Sequence, residues 1–234
     1  MSLVYAGESD TSEVIAFEAI NYYVVRHFNA YSVAVTGFLS PEVELPARVE
    51  IAVPTGSEIT WFSEFSGGPI ENDPEFIEPF DVRTEGSLDI YTVTTRYNHA
   101  VQVEYRTDDD LNSRISSGVY SLSMEYTPVA DTPILRLMTN LPAESRVEDP
   151  TVEFMGEDEH GRLVFMRMYT DVPALTVVQG EITYMPPAGQ GMIVQGGNPL
   201  SGLGIAITVA IGTIVVVGLF VYLGNRRRQM YSDV

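Results

Sequence analysis

Carboxylates are the chemically versatile side chains that this sequence supplies in clusters. They are concentrated in three short stretches, ENDPE (71–75), DDD (108–110) and EDE (157–159). Loop carboxylates are the ligands that Ca²⁺ prefers, and a pair of them across a cleft could hydrolyse a glycosidic bond. None of the three stretches follows the Asp-x-Asp-x-Asp-Gly spacing of a calcium loop, and clustered acids in β-rich proteins usually lie in solvated turns. We therefore expect no cofactor; calcium is the one metal that these loops would suit.

The residues that serve most often as nucleophiles or metal ligands are sparse. His27, His99 and His160 stand in separate segments without metal-ligand spacing, and His160 lies in GEDEHGR, a typical hairpin tip. Cysteine and lysine are absent, which excludes disulfides, thiol nucleophiles and Schiff-base chemistry. The sequence also has no Gly-x-Ser-x-Gly motif and no glycine-rich phosphate loop ending in lysine. These observations favour a protein that is not an enzyme.

One aromatic segment is a candidate for protein binding. WFSEF (61–65) is followed by a proline-rich acidic loop, SGGPIENDPEFIEPF (66–80). Apolar side chains with an acidic rim are typical of a docking surface. The alternative is a loop folded over the edge of the domain, with its aromatic side chains in the core. The candidate interface residues are Trp61, Phe62, Phe65, Phe76 and Phe80.

The elements that must position these residues are short β-strands. Six segments alternate apolar and polar residues and are rich in Val, Ile, Thr and Tyr, with turn sequences such as RTEGS and EDEHGR between them. The segments are VEIAV (49–53), LDIYTVTTRY (88–97), AVQVEYR (100–106), VYSLSMEY (119–126), LVFMRMY (163–169) and GEITYM (180–185). The stretch 12–39 is predicted to form two more strands. The predicted fold class is all-β, with one or two β-sandwich units of the Ig-like or Greek-key type.

A weak internal repeat suggests how the chain divides. RVEIAVPTGSEI (48–59) aligns with RLMTNLPAESRV (136–147), each a strand ended by proline, a small polar turn and another strand. A duplication would give a β-sandwich domain at 12–127 and a smaller β unit at 128–188. Convergence on a common turn is the alternative, and residues 128–188 would then continue the same sandwich.

The C-terminal region carries the pattern of a membrane anchor. Residues 203–223 include no charged side chain, and a helix of this length would span the roughly 30 Å apolar layer of a bilayer at about 1.5 Å per residue. Gly204, Thr208 and Gly212 would form a stripe of small residues on one helix face, which favours helix–helix packing. The glycine- and proline-rich residues 189–202 are predicted to be a flexible stalk.

Charge predicts the orientation of this anchor. Arg226, Arg227 and Arg228 lie in the short tail 224–234, whereas the flank 184–202 is uncharged. By the positive-inside rule the tail is cytoplasmic and the N-terminal domain is extracytoplasmic. Export of that domain requires a signal that residues 1–11, predicted to be disordered or processed, do not supply, so this reading requires a signal lost from the sequence by processing or truncation. The alternative is a tail-anchored protein with its domain in the cytoplasm.

The overall charge limits the possible partners. Residues up to Gly202 contain ten arginines and 31 acidic residues, a net charge of −21, which would repel nucleic acids and anionic lipids. The sequence therefore predicts a non-enzymatic, single-pass protein of the cell membrane that binds or scaffolds proteins, as an accessory subunit of a larger complex or by self-association through its helix. Two alternatives remain: a stalked adhesin or carbohydrate-binding module, with Trp61 in a row of exposed aromatics, and a carboxylate hydrolase.

Overall fold

A computed structural model describes residues 13–27, 30–66, 81–107, 111–158 and 160–187. These ranges contain fourteen β-strands and no helix, so the predicted all-β class is confirmed. The strands are β1 (Ala19–His27), β2 (Ala30–Phe38), β3 (Ala47–Pro54), β4 (Glu58–Glu64), β5 (Asp81–Glu85), β6 (Leu88–Thr95), β7 (Ala100–Thr107), β8 (Asn112–Ser116), β9 (Val119–Tyr126), β10 (Thr132–Leu141), β11 (Arg146–Val147), β12 (Glu153–Glu157), β13 (Leu163–Val172) and β14 (Val178–Met185).

The strands form three sheets. The largest has seven strands in the order β12-β13-β10-β1-β2-β7-β4, beside a four-stranded sheet, β11-β14-β9-β8, and a three-stranded sheet, β3-β6-β5. The pairings within these sheets are antiparallel except for β1 and β10, which run parallel with Ala19 opposite Ile134. A parallel pair cannot be joined by a hairpin, so eight intervening strands separate β1 from β10 along the chain.

The two smaller sheets pack against the same face of the seven-stranded sheet. Side chains alternate along a strand, so every second residue of the large sheet points into this core. One buried cluster accordingly combines residues of all three sheets: Val24, Val33, Val103 and Leu137 from the large sheet, Ile51 and Val93 from the three-stranded sheet, and Leu122 and Ile182 from the four-stranded sheet. The arrangement is sandwich-like, with one layer divided into two sheets.

Strands from both predicted units share these sheets. β10 and β13, which lie within 128–188, extend the large sheet beside β1, and β14 pairs with β9. Strands of 128–188 thus lie in the same sheets as strands of 12–127.

The repeated sequence corresponds to a shared turn. The Ser57 N–H donates to the Pro54 carbonyl, and the Ser145 N–H donates to the Pro142 carbonyl, each at 3.1 Å. The preceding strands have different surroundings, because β3 lies in the three-stranded sheet and β10 in the seven-stranded sheet.

The predicted membrane helix at 203–223 lies outside the described residues. Within the ranges that are described, no helix has the length and apolar character needed to cross a membrane.

A glycine contact in the core gives a direct test of the packing. A Cβ atom at Gly37 of β2 would lie 2.5 Å from the ring of Phe17, which is 4% exposed. We expect Gly37→Ala to lower the free energy of unfolding by about 1–3 kcal/mol, because the Phe17 ring must move out of a close-packed core. Denaturant unfolding of the single variants and of Gly37→Ala/Phe17→Leu measures the coupling. Strict additivity of the two substitutions would contradict this explanation.

Candidate functional site

The structure places most of the described aromatic segment in the interior. Phe62 and Phe65 are 8% and 4% exposed, and Phe62 belongs to the core cluster. Their contribution to the folded domain is therefore packing. Trp61 is half-buried on the edge strand β4, in register with Glu104 of β7. Tyr23, in the same cross-strand row, is buried, so this row is not the line of exposed aromatics expected of a carbohydrate-binding face.

Several residues singled out from the sequence lie outside the described part of the chain. They are the acidic stretches 71–75 and 108–110, the interface candidates Phe76 and Phe80, the helix-packing residues Gly204, Thr208 and Gly212, and the topology residues Arg226, Arg227 and Arg228.

Of the acidic stretch 157–159, the structure describes Glu157, at the end of β12, and Asp158, which follows it. The Asp158 carboxylate accepts hydrogen bonds from the backbone N–H groups of His160 and Arg162, both at 2.9 Å, and from the Arg162 Nε at 2.7 Å.

The His99 Nε2 lies 2.9 Å from the Val43 carbonyl oxygen. In the residues that the structure describes, no group of three or more His, Asp and Glu side chains is placed to hold a metal ion.

Two buried glutamates also have structural partners. Glu64 is 3% exposed, and its carboxylate accepts the backbone N–H groups of Arg96, Tyr97 and Asn98 at 2.7, 2.8 and 2.8 Å. A carboxylate that receives three N–H donors holds the β6–β7 turn in place. Glu104 lies on β7 and is 2% exposed.

Glu104 belongs to a line of buried polar side chains on the second face of the seven-stranded sheet. Arg136, Asn21, Thr36 and Gln102 lie opposite one another on β10, β1, β2 and β7. The Arg136 guanidinium donates to the Asn21 Oδ1 at 3.2 Å, the Thr36 hydroxyl donates to the Gln102 Oε1 at 2.7 Å, and the Gln102 Nε2 donates to the Glu104 Oε1 at 2.8 Å. These bonds satisfy polar groups that would otherwise be costly to bury, and they fix the register of the strands.

The same burial changes the chemistry of Glu104. Loss of solvation raises its pKa to about 7, against the opposing effect of the Gln102 hydrogen bond. A carboxyl group with such a pKa could exchange protons near neutral pH, but at 2% exposure it has no access to a substrate. Sequence reasoning missed this residue, because alternation alone predicts that the polar positions of a strand face solvent.

The loop between β13 and β14 (173–177) presents apolar side chains to solvent. Leu175 and Val177 are each 54% exposed, and the loop carries the chain from the seven-stranded to the four-stranded sheet. Asp171 and Leu175 have φ angles of 53° and 56°, in the left-handed region. That conformation costs about 1–2 kcal/mol for a residue with a Cβ atom, so the surrounding contacts must impose it.

Hydrogen bonds to the β9–β10 connection hold this loop. The Leu175 N–H donates to the Pro128 carbonyl at 2.8 Å, and the Ala174 N–H donates to the Asp131 Oδ1 at 2.8 Å. The loop is therefore anchored at its centre, and Leu175 projects from a fixed backbone. Nothing in the alternating pattern of the sequence indicated this site, since PALTV has no glycine to mark a left-handed residue.

The loop lies at the far end of β14 from the point where the described chain ends. β14 runs from Val178 to Met185, and the described chain ends two residues later, at 187. A strand of this length spans about 26 Å at 3.3 Å per residue. Leu175 and the chain exit are thus at opposite ends of the four-stranded sheet.

Comparisons with known proteins give no family. No protein-family model matches this chain, and no curated protein matches it. Among solved structures, it is similar to native leukotriene A4 hydrolase from Saccharomyces cerevisiae, with a TM-score of 0.38 and 12% sequence identity. The similarity covers 72% of this chain and 28% of that chain, so the present chain spans less than a third of that enzyme's length. A similarity this low carries no argument about activity.

Glu104 gives the domain a specific pH dependence. Its pKa is about 7 in the folded state against an ordinary value of 4.5, so between these pH values the folded protein keeps a proton that the unfolded chain has lost. Its contribution to stability is complete below pH 4.5 and is lost as the pH rises through 7. We expect Glu104→Gln to match the wild type near pH 4.5 and to exceed its free energy of unfolding by up to about 3 kcal/mol near pH 8.

Denaturant unfolding across this pH range measures the effect. Glu153→Gln, at an exposed glutamate of β12, is the matched control and should leave the wild-type profile unchanged. A wild-type profile that does not decline between pH 4.5 and 7 relative to Glu104→Gln would contradict the assignment.

Proposed function

We propose that this chain is a non-enzymatic, single-pass membrane protein whose acidic extracytoplasmic β-sandwich binds a protein partner through the β13–β14 loop. The observation that carries the proposal is the pair of exposed apolar side chains, Leu175 and Val177, on a loop whose backbone is held in a strained conformation. Strain that is maintained outside the core is more often associated with binding than with packing. A preorganised apolar loop also loses little conformational entropy when it enters a pocket.

The surroundings of the loop favour a partner of particular chemistry. Asp131 and Asp171 are exposed beside the loop, and Asp131 is fixed by the Ala174 N–H. Apolar side chains with a carboxylate rim fit a pocket that is apolar at its centre and basic at its edge. The net charge of −21 up to Gly202 would steer such a partner toward the domain from a distance.

The membrane anchor is supported by the sequence. The uncharged residues 203–223 and the triplet Arg226, Arg227 and Arg228 favour an anchored chain with a cytoplasmic tail. Leu175 would then project away from the bilayer, since the chain leaves the domain at the other end of β14. The small residues Gly204, Thr208 and Gly212 support a second contact, through the helix, with a larger membrane protein or another copy.

Single cysteines test the orientation without background, because the chain contains none. Ser117→Cys marks the exposed β8–β9 turn and Ser232→Cys marks the tail. A membrane-impermeant maleimide added to intact cells should label only Ser117→Cys, and both variants should react after lysis. Labelling of Ser232→Cys in intact cells would mean that the domain is cytoplasmic.

Substitutions in the loop test the binding site. Leu175→Asn removes the apolar side chain and introduces a residue that tolerates the left-handed conformation, and Val177→Thr keeps the shape of valine. We expect the double variant to be at least as stable as the wild type, because both side chains are exposed and asparagine tolerates the left-handed conformation at position 175. Extraction in mild detergent followed by native mass measurement should show a partner bound to the wild type and absent from the variant.

Two apolar residues elsewhere on the surface provide the control. Val82→Thr and Ile115→Thr, at positions 48% and 56% exposed, should retain the partner. A lone monomer from the wild type would refute the proposal, and a loop variant that still carries the partner would exclude the β13–β14 loop as the site.

A further inference from the structure

Three side chains on the second face of the seven-stranded sheet form a hydrogen-bonded line with reactive chemistry. Thr36 of β2 lies directly opposite Gln102 of β7, and Glu104 follows two residues later on the same face. The Thr36 hydroxyl donates to the Gln102 Oε1 at 2.7 Å, and the Gln102 Nε2 donates to the Glu104 Oε1 at 2.8 Å. An alcohol, a primary carboxamide and a carboxyl group are therefore in contact in this order.

The spacing brings the Thr36 hydroxyl oxygen close to the carbonyl carbon of Gln102. A C=O bond is about 1.23 Å long, so the Gln102 Cδ lies within about 4 Å of the Thr36 Oγ1. The terminal torsion of a glutamine side chain is broad, and rotation about it turns the face of the carboxamide toward the hydroxyl. Opposite side chains of antiparallel strands have Cβ atoms about 4.5–5.5 Å apart, which is close to the reach of a Cβ–Oγ–Cδ–Cγ–Cβ linkage.

Burial favours a reaction between these groups. Thr36, Gln102 and Glu104 are 3%, 1% and 2% exposed, so water is kept from competing for the carbonyl carbon and from hydrolysing an ester. Burial also raises the pKa of Glu104 to about 7, so a large fraction of this carboxyl group carries a proton at neutral pH. A protonated carboxyl group in contact with the carboxamide nitrogen can protonate that nitrogen as it leaves.

We propose that Thr36 and Gln102 form an intramolecular ester bond, with release of one ammonia molecule. The Thr36 Oγ1 adds to the Gln102 Cδ, and its proton passes to Oε1, to which it is already hydrogen-bonded. Glu104 gives its proton to Nε2, the Cδ–Nε2 bond breaks and ammonia departs. The proton on Oε1 then returns to the Glu104 carboxylate. The reaction occurs once in each chain and consumes no other reagent.

Proximity makes so slow a reaction attainable. Amides react sluggishly with alcohols, but well-oriented groups within one molecule have effective concentrations of about 10⁵–10⁸ M. A single event in the lifetime of the chain is sufficient, because the product is the functional form.

The position of the bond indicates what it does for the domain. It joins residues 66 positions apart, and the sheet order β2-β7-β4 means that β7 and β4 are attached to the rest of the large sheet through β2. A covalent link between β2 and β7 therefore keeps that end of the sheet attached when its hydrogen bonds open. It restricts the unfolded chain as a disulfide does, in a sequence that contains no cysteine.

Mass spectrometry of the full chain, extracted in detergent, tests the proposal without any substitution. The wild type should be lighter than the mass calculated from its sequence by one ammonia molecule. Trypsin cleaves this lysine-free chain after arginine, so residues 27–48 and 97–106 should appear as one linked species, with fragment ions that place the link at Thr36 and Gln102. Hydroxylamine, which cleaves esters, should separate the two peptides.

Four variants address the individual groups. Thr36→Val keeps the shape of the side chain without the nucleophile, so it should retain the ammonia and give separate peptides. Thr36→Ser keeps the hydroxyl and should retain the link. Glu104→Gln keeps an acceptor for the Gln102 Nε2 but has no proton to give, and it should slow formation of the link at least tenfold. Thr139→Val, at a fully buried threonine of β10, is the matched control and should lose ammonia as the wild type does.

The Thr36→Val background also keeps this effect of Glu104 apart from its effect on stability. No link can form in that background, so the pH dependence expected for Glu104→Gln is measured there without a contribution from the ester.

Three outcomes would overturn the proposal. The first is a wild-type chain that has its full sequence mass and yields the two peptides separately. The second is loss of ammonia that persists in Thr36→Val, which would indicate a succinimide at an asparagine. The third is a link to Ser63, which lies opposite Gln102 on β4 and whose hydroxyl donates to the Glu64 carbonyl at 2.8 Å.

Discussion

The parallel pairing of β1 with β10 is the contact on which the rest of this fold depends. It joins segments far apart in sequence, and the Thr139 hydroxyl donates to the Val24 carbonyl at 3.0 Å across 115 residues. Val24 and Leu135, on the two strands, are fully buried. β1 and β10 lie near the middle of the large sheet. Until these two strands pair, the strands on the β10 side and the strands on the β1 side do not belong to one sheet. Loop-closure entropy opposes such a contact, and burial of the surrounding side chains must outweigh it.

The division of the second layer into two sheets determines where the chain can present functional groups. Both small sheets cover one face of the large sheet, so connections between the layers run around the ends of the sandwich. The β13–β14 loop is one such connection, and it places Leu175 in solvent because its backbone must turn from one layer to the other. The position of this loop follows from the layering and not from a local sequence motif.

Sequence patterns predicted the individual strands better than their arrangement. The alternation in β9 and β14 was clear, because each has one face in the core and one in solvent. The segments of β5 and β12 lie beside strong turn sequences and are mostly exposed, so no apolar pattern marked them. The division into three sheets and the parallel pair depend on which strands meet, which alternation within one strand does not encode.

The candidate site was also beyond sequence reasoning, for similar physical reasons. The aromatic segment drew attention because aromatics are frequent at interfaces, but the same apolar area is equally suited to a core, and Phe62 is buried there. Leu175 gave no signal, since its left-handed backbone is imposed by contacts with the β9–β10 connection. Glu104 looked like a surface residue until the register of β7 was known. In each case the deciding neighbour is distant in the chain.

The exposed apolar loop acquires a further property from the acidity of the domain that carries it. Two copies that approach loop to loop bring together surfaces with 21 excess negative charges each up to Gly202, and their repulsion opposes self-association. That repulsion reaches only about 8 Å at physiological ionic strength and about 3 Å in 1 M salt. The net charge therefore opposes self-association of the domain, and concentrated salt removes this opposition. The ionic strength of the medium thus determines whether the exposed β13–β14 loops of two copies associate.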